Sequence, residues 1–331
     1  MTGAAMSIVP SDRAAGSGRD VAGPLLMFMM FALVPLVAAL TADRYLLDLA
    51  ARVMIFAVAA VALDLLVGYG GLISFGHAAF MGLGAYAVGI LSAHGIDDAL
   101  VSFPVAIVVS MLFAWATGVV CLRTKGAYFI MITLAFGQMA YFVATSLAPY
   151  GGDNGLTIAA RNTLAGWPLF KSDRPFYYFI LVCLVGTYLL CRTLVASRFG
   201  RVVRGARENA SRMATIGFKV QQFQLVAYVI AGGLAGMSGF LLANSTEFVS
   251  PAYMSWQRSG ELIIMVILGG SGTLEGAIIG AAAYLLTEEW LSGIIENWQV
   301  IFGPVLVLVV LFGRGGLMGM ATRLWRWWAH V

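Results

Sequence analysis

Few side chains in this 331-residue chain can act as acid, base, nucleophile or metal ligand, and most of those stand outside its long apolar runs. Asp64 is the clear exception, a carboxylate inside the run that opens near Tyr45 and closes at Val67. An ionisable group at that depth is costly and points to a transport path or relay. It also stands one turn before Gly68, so capping or polarity beside a helix break is the competing reading. His77 could pass protons or bind a metal, yet no carboxylate or cysteine sits at ligand spacing from it. A hydrogen-bonded histidine at a helix start is the plainer expectation. Cys121, Cys183 and Cys191 lack metal-type spacing and read as small apolar filler. Lys125, Lys171 and Lys219 are the only lysines, and none has the glycine context of a phosphate loop. Gly82-Leu83-Gly84-Ala85-Tyr86-Ala87 matches a dinucleotide fingerprint in letters only, since no strand precedes it and no ribose-binding acid follows. No catalytic residue, metal site or cofactor is therefore expected in this chain, which reads as something other than an enzyme.

The segment from Arg198 to Lys219 carries a different kind of chemistry. It holds Arg201, Arg204, Arg207 and Arg212 between two apolar runs, interleaved with Gly205, Ala206, Ala210 and Ala214. A loop facing anionic lipid would need only the charge. Glu208 and Asn209 suit a short amphipathic helix that docks into a groove of another protein. The basic residues lie beside apolar runs rather than beside stacking aromatics, so nucleic acid is not an expected partner.

The elements that position these residues follow from composition. Hydrophobic residues make up 60% and charged residues 11%, against ~45–50% and ~25% in soluble domains. An ordinary soluble enzyme, a disordered protein and a disulfide-rich module are excluded. The chain reads as all-α, a polytopic transmembrane helix bundle with about ten crossings of ~20 residues each. Charge-free runs mark spans at 21–42, 77–93, 99–122, 126–148, 175–191, 220–243 and 297–313, and a further span at 45–67 is interrupted by Asp48, Arg52 and Asp64. Leu65 to Ile96 carries no Asp, Glu, Lys or Arg, and one helix of that length would reach ~48 Å, well beyond a ~30 Å hydrocarbon core. The chain must break there, and Gly68, Gly70 and Gly71 mark the place. A second break is expected at Gly269, Gly270 and Gly272, between the short runs 262–274 and 276–287. The two glycine stretches look alike, as internal repeats or as independent small-residue packing. Ser74, His77 and Thr273 are candidate path residues by position beside these breaks, together with Asp64.

Charge placement sets the orientation. Arg123 and Lys125, the Arg198–Lys219 segment, and Arg314, Arg323 and Arg326 all fall on the cytoplasmic side if residues 262–287 cross twice. Both termini are then cytoplasmic, with residues 1–20 a mobile tail, 21–320 the membrane domain and 321–331 a second tail. The loop 149–174 lies outside, where Tyr150–Gly155 serves as a connector or faces an external partner. A single crossing would place the basic C-terminus outside.

In order along the chain, these motifs resemble a known family. Leu63-Asp64-Leu65-Leu66-Val67-Gly68-Tyr69-Gly70-Gly71 followed by Ser74-Phe75-Gly76-His77-Ala78-Ala79-Phe80 is similar to the opening signature of bacterial branched-chain amino acid ABC transporter permeases of the LivM type. Gly151-Gly152-Asp153-Asn154-Gly155-Leu156 resembles its external loop, and Ser197-Arg198-Phe199-Gly200-Arg201 with Arg207-Glu208-Asn209 and Gly217 its cytoplasmic coupling loop. Leu268-Gly269-Gly270-Ser271-Gly272-Thr273 with Gly276 and Gly280 is similar to its late glycine-rich segment, and Gly315-Gly316-Leu317-Met318-Gly319 to its C-terminal end. The resemblance implies a bacterial inner-membrane permease that pairs with a second, LivH-type permease. It implies two ATP-binding subunits of the LivG and LivF type, which use the ATP, and an external solute-binding protein. It also implies that Arg201, Arg204, Arg207, Glu208, Asn209 and Gly217 contact an ATPase, and that transport proceeds by alternating access. Urea, short amides or aromatic acids are alternative cargoes, and an ion-coupled secondary transporter is the alternative of a different class.

Overall fold

The computed structural model describes residues 19–41, 44–158, 160–164, 166–167, 169–294, 300, 302–304 and 315–320. The chain is an all-α helical bundle. Its helices are α1 (Arg19–Thr41), α2 (Arg44–Asp64), α3 (His77–Ala93), α4 (Ala99–Cys121), α5 (Ala127–Ser146), α6 (Asp173–Ala196), α7 (Arg198–Thr215), α8 (Val220–Thr246), α9 (Trp256–Gly269) and α10 (Leu274–Ser292). Side chains cap several of them where the sequence supplies an oxygen. The Asp98 carboxylate accepts from Leu100 N at 3.0 Å to start α4, and Ser197 Oγ accepts from Gly200 N at 3.4 Å to start α7.

Among the described residues, six helices are long and apolar enough to cross a membrane, seven if the bent pair α9–α10 counts as one span. The expectation of about ten crossings is looser than this. Helix α3 is apolar but only 17 residues long. The expected last span at 297–313 lies outside the described residues except for 300 and 302–304, and so do residues 1–18 and 321–331 of the expected tails.

Helix α2 is the axis of the bundle. Every residue from Val53 to Asp64 is buried, because α6, α8, α9 and α10 pack around it. Its last turn, Leu65–Tyr69, widens into a π-helix. Helix α8 forms a second buried column against α3 and α4. Glycines let these helices approach backbone to backbone: a Cβ at Gly84 would strike the Gly236 carbonyl, and one at Gly239 the Met81 carbonyl.

Helices α9 and α10 meet at a 117° bend. The N-terminal part of α9 sets Arg258 over the Phe56 ring at 6.0 Å, and the C-terminal part of α10 sets Glu288 3.8 Å from Arg52. Both outer ends of the pair therefore stand at the level of Arg52 and Phe56 on α2. The bend stands at the level of Asp64 and Gly68, about 18 Å further along α2 at 1.5 Å per residue. The pair runs down α2 and back. Its two arms lie in backbone contact, since a Cβ at Gly269 would meet the Gly276 carbonyl and one at Gly280 the Met265 carbonyl.

The segment between α5 and α6 is tied down rather than loose. Leu156–Thr157 (β1) pairs antiparallel with Phe248–Val249 (β2), with Leu156 opposite Val249. Asn162 donates to Ser102 Oγ at 2.5 Å, and its backbone N–H donates to Asn244 Oδ1 at 2.9 Å. Arg161 bridges Asp173 at 2.7 Å and Glu247 at 3.3 Å, with its guanidinium 5.2 Å from the Phe176 ring centre.

Candidate functional site

The two glycine breaks meet each other. Asp64, fully buried at the end of α2, accepts a hydrogen bond from Gly272 N at 2.8 Å through Oδ1. Its Oδ2 has no partner among the described residues. Asp64 stands at the N-terminal cap of the π-turn but makes no capping bond there. It joins the turn at the end of α2 to the bend between α9 and α10.

Close approach explains the glycines at this junction. A Cβ at Gly68 would collide with the Asp64 carboxylate and the Gly272 amide, so neither segment could reach the other. The chain reverses at Gly71, whose φ of +67° suits glycine, while Gly70 keeps an ordinary negative φ and packs on the Leu66 carbonyl. In the second break Gly270 and Gly272 take φ of +118° and +84°. Thr273 Oγ1 donates to the Gly270 carbonyl at 2.6 Å, which holds the bend closed. Gly315 and Gly316 also reach this bend: a Cβ at Gly270 would meet the Gly315 carbonyl, and one at Gly316 the Gly269 and Gly270 backbone.

The basic segment completes the junction from α7. Its apolar residues Val202, Val203 and Ala206 are buried, as is Gly200, so the helix lies with one face on the bundle. Phe199 stacks near Phe223 of α8 at 5.8 Å between ring centres. Non-helical backbone at Asn209 (φ −155°, ψ 93°) divides α7, and Asn209 Oδ1 caps the second piece by accepting from Arg212 N at 2.9 Å. Gly217, with φ of +99°, ends it.

Among the six residues expected on the coupling segment, the roles divide. Arg207, although exposed like Arg201 and Glu208, donates to the Gly68 carbonyl, and its stem lies where a Cβ at Gly71 would come within 2.8 Å of Cγ. Arg204 donates to the Val195 carbonyl at 2.8 Å and sits 6.0 Å from the Tyr69 ring centre. Arg201 is exposed and donates to the Ala196 carbonyl at 3.4 Å. Glu208 is exposed and makes no ion pair among the described residues. Asn209 and Gly217 shape the segment.

Ser74 and His77 form a separate group at the start of α3. Phe75 N donates to Thr133 Oγ1 at 3.2 Å and Ala78 N to Ser259 Oγ at 3.1 Å, so hydroxyls from α5 and α9 satisfy this helix start. Ser74 is buried, with Oγ 3.4 Å from Gly76 N. The expected hydrogen bond of His77 is not made: both ring nitrogens are buried without a partner among the described residues. The ring packs edge-on against Phe80 at 5.3 Å instead.

One further polar group was not foreseen. Arg52, Arg258, Glu261 and Glu288 gather between α2, α9 and α10, with Arg258 2.6 Å from Glu261 and Tyr45 donating to Glu289 nearby. The Arg258–Glu261 spacing of three residues was the only signal in the sequence.

The family described as branched-chain amino acid transport system / permease component matches residues 45–311. Similar proteins include the high-affinity branched-chain amino acid transport system permease protein LivM of Salmonella typhimurium, 26% identical over 89% of this chain and 75% of that protein. The LivM protein of Escherichia coli is 25% identical over 84% of this chain and 71% of its own length. The LivH permease protein of Salmonella typhimurium is 24% identical over 80% of this chain and 91% of its own. No solved structure matches the chain.

Proposed function

Because this chain belongs to the branched-chain amino acid transport system permease family, we propose that it is the membrane-spanning subunit of an ATP-binding-cassette importer for branched-chain or related amino acids. In this reading it is a multi-pass inner-membrane subunit that binds no nucleotide, and two ATPase subunits dock beneath it. A second, LivH-type permease completes the path, and an external binding protein delivers the solute. Both termini and α7 are cytoplasmic, and the segment 149–174 is external.

The observation that carries this reading is the placement of α7. It is a basic amphipathic helix whose apolar face rests on the bundle and whose exposed face offers Arg201 and Glu208 to a partner. It lies against the first glycine break, which in turn meets the second through Asp64 and Gly272, and transporters of several kinds interrupt their helices at such places. Motion of the ATPases then reaches those helices which must re-pack for alternating access.

Proteoliposomes holding the permease pair, both ATPases and the binding protein test it. Labelled leucine should accumulate only with internal or external ATP on the ATPase side, and unlabelled valine or isoleucine should compete. Competition by urea, amides or aromatic acids alone would change the cargo. Accumulation by the isolated chain along an ion gradient would replace the importer with a secondary transporter.

A further inference from the structure

We infer that Arg207 is a positioning residue that transmits motion of α7 to both glycine breaks, rather than a contact to the ATPase; this rests on the importer reading above. Three features converge on it. The first is the carbonyl it grips. Gly68 stands in the π-turn at the end of α2, where carbonyls lose their intrahelical donors. The Arg207 guanidinium donates to that carbonyl from a helix more than a hundred residues away. The second is the fit of the turn around the arginine stem, since Gly71 leaves the space that Arg207 Cγ occupies. The third is a parallel contact one turn earlier on α7. Arg204 lies over the Tyr69 ring, so residues spaced i and i+3 on one helix face hold the same turn.

The far side of the turn continues the path. Gly68 abuts both Asp64 and Gly272, and Asp64 bonds to the Gly272 amide. A pull on α7 is therefore delivered through Arg207 to the Gly68 carbonyl, and through Gly68 and Asp64 to the bend of the α9–α10 pair. The two arms of that pair are in backbone contact and move together. Arg207 makes the hydrogen bond from α7 to a break among the described residues, and Arg204 adds only its ring contact with Tyr69. A contiguous chain of bonded groups between a docking helix and two interrupted helices is the physical requirement for such coupling.

The test uses the complete importer in proteoliposomes, with ATP hydrolysis and leucine uptake measured on the same preparation. For Arg207→Ala the permease should assemble with its ATPases on size-exclusion chromatography and keep its hydrolysis rate. Leucine taken up per ATP hydrolysed should fall about tenfold or more. Arg207→Lys, which keeps the charge and a donor on a similar stem, should recover part of that ratio; it also serves if the alanine variant does not fold. Glu208→Arg on the exposed face should instead weaken assembly. Loss of assembly in Arg207→Lys would make Arg207 a docking contact and overturn the inference. So would an equal fall of hydrolysis and uptake, or an unchanged ratio in both Arg207 variants. Failure of the unaltered complex to take up leucine with ATP would count against the importer reading instead.

Discussion

Asp64 offers the sharpest test of the packing at the junction. Its Oδ1 is the acceptor for a backbone N–H at 2.8 Å in a fully buried site. Asp64→Ala removes the acceptor and leaves the Gly272 N–H without one, a loss of about 1–3 kcal/mol. Asp64→Asn keeps an oxygen in the same place but makes it a weaker, neutral acceptor, and like Asp64→Ala it removes a buried carboxylate whose second oxygen is unpartnered. Those two effects oppose each other, and the net change should stay within about 1 kcal/mol. The three buried cysteines supply the assay: Cys121, Cys183 and Cys191 react with a thiol-sensitive fluorophore only as the bundle opens. At about 2–4 °C per kcal/mol for chains of moderate size, the alanine variant should melt several degrees below the unaltered protein and the asparagine variant close to it. Equal melting of the two variants would refute the reasoning, because it would mean that the Gly272 bond contributes nothing.

Close helix crossings should be intolerant of a single methyl group. Gly239→Ala drives a Cβ into the Met81 carbonyl and should cost about 1–3 kcal/mol by the same melting assay. Gly186→Ala, in α6 with nothing within 4 Å, should be neutral or stabilise by up to about 1 kcal/mol through helix propensity. Arg161→Ala should free the segment between α5 and α6: hydrogen exchange at Ile158 and Asn162 should rise while that of α2 is unchanged, since Arg161 bridges Asp173 and Glu247. Arg207→Glu should abolish ATP-driven uptake while the external binding protein still binds leucine, because a carboxylate cannot donate to the Gly68 carbonyl.

Most of the helical plan is legible in the sequence because a membrane helix needs little more than length and the absence of charge. The runs at 99–122 and 220–243 became α4 and α8 within a few residues. The excess length between Leu65 and Ile96 announced a break, and the glycines located it. Glu208 and Asn209 among the arginines after Arg198 suited a short amphipathic helix, and α7 is amphipathic. Other features were invisible because they depend on partners far apart in the chain. Nothing near Asp64 announces Gly272, and nothing near Arg207 announces the Gly68 carbonyl. The π-turn at Leu65–Tyr69 has no composition of its own. Arg52 read as a charge interrupting a span, whereas its meaning lies in Glu288 on α10.

The burial of α2 has a consequence for how the protein is made. This helix leaves the ribosome well before α8, α9 and α10, which help to enclose it. At about 5–20 residues per second, on the order of ten seconds or more pass before the Gly272 amide exists to meet Asp64. During that interval a segment carrying Arg52 and Asp64 has to reside at the insertion machinery or in lipid without its final neighbours. Newly made α2 thus needs protection until those helices arrive, and premature termination before α8 should leave it exposed to membrane proteolysis.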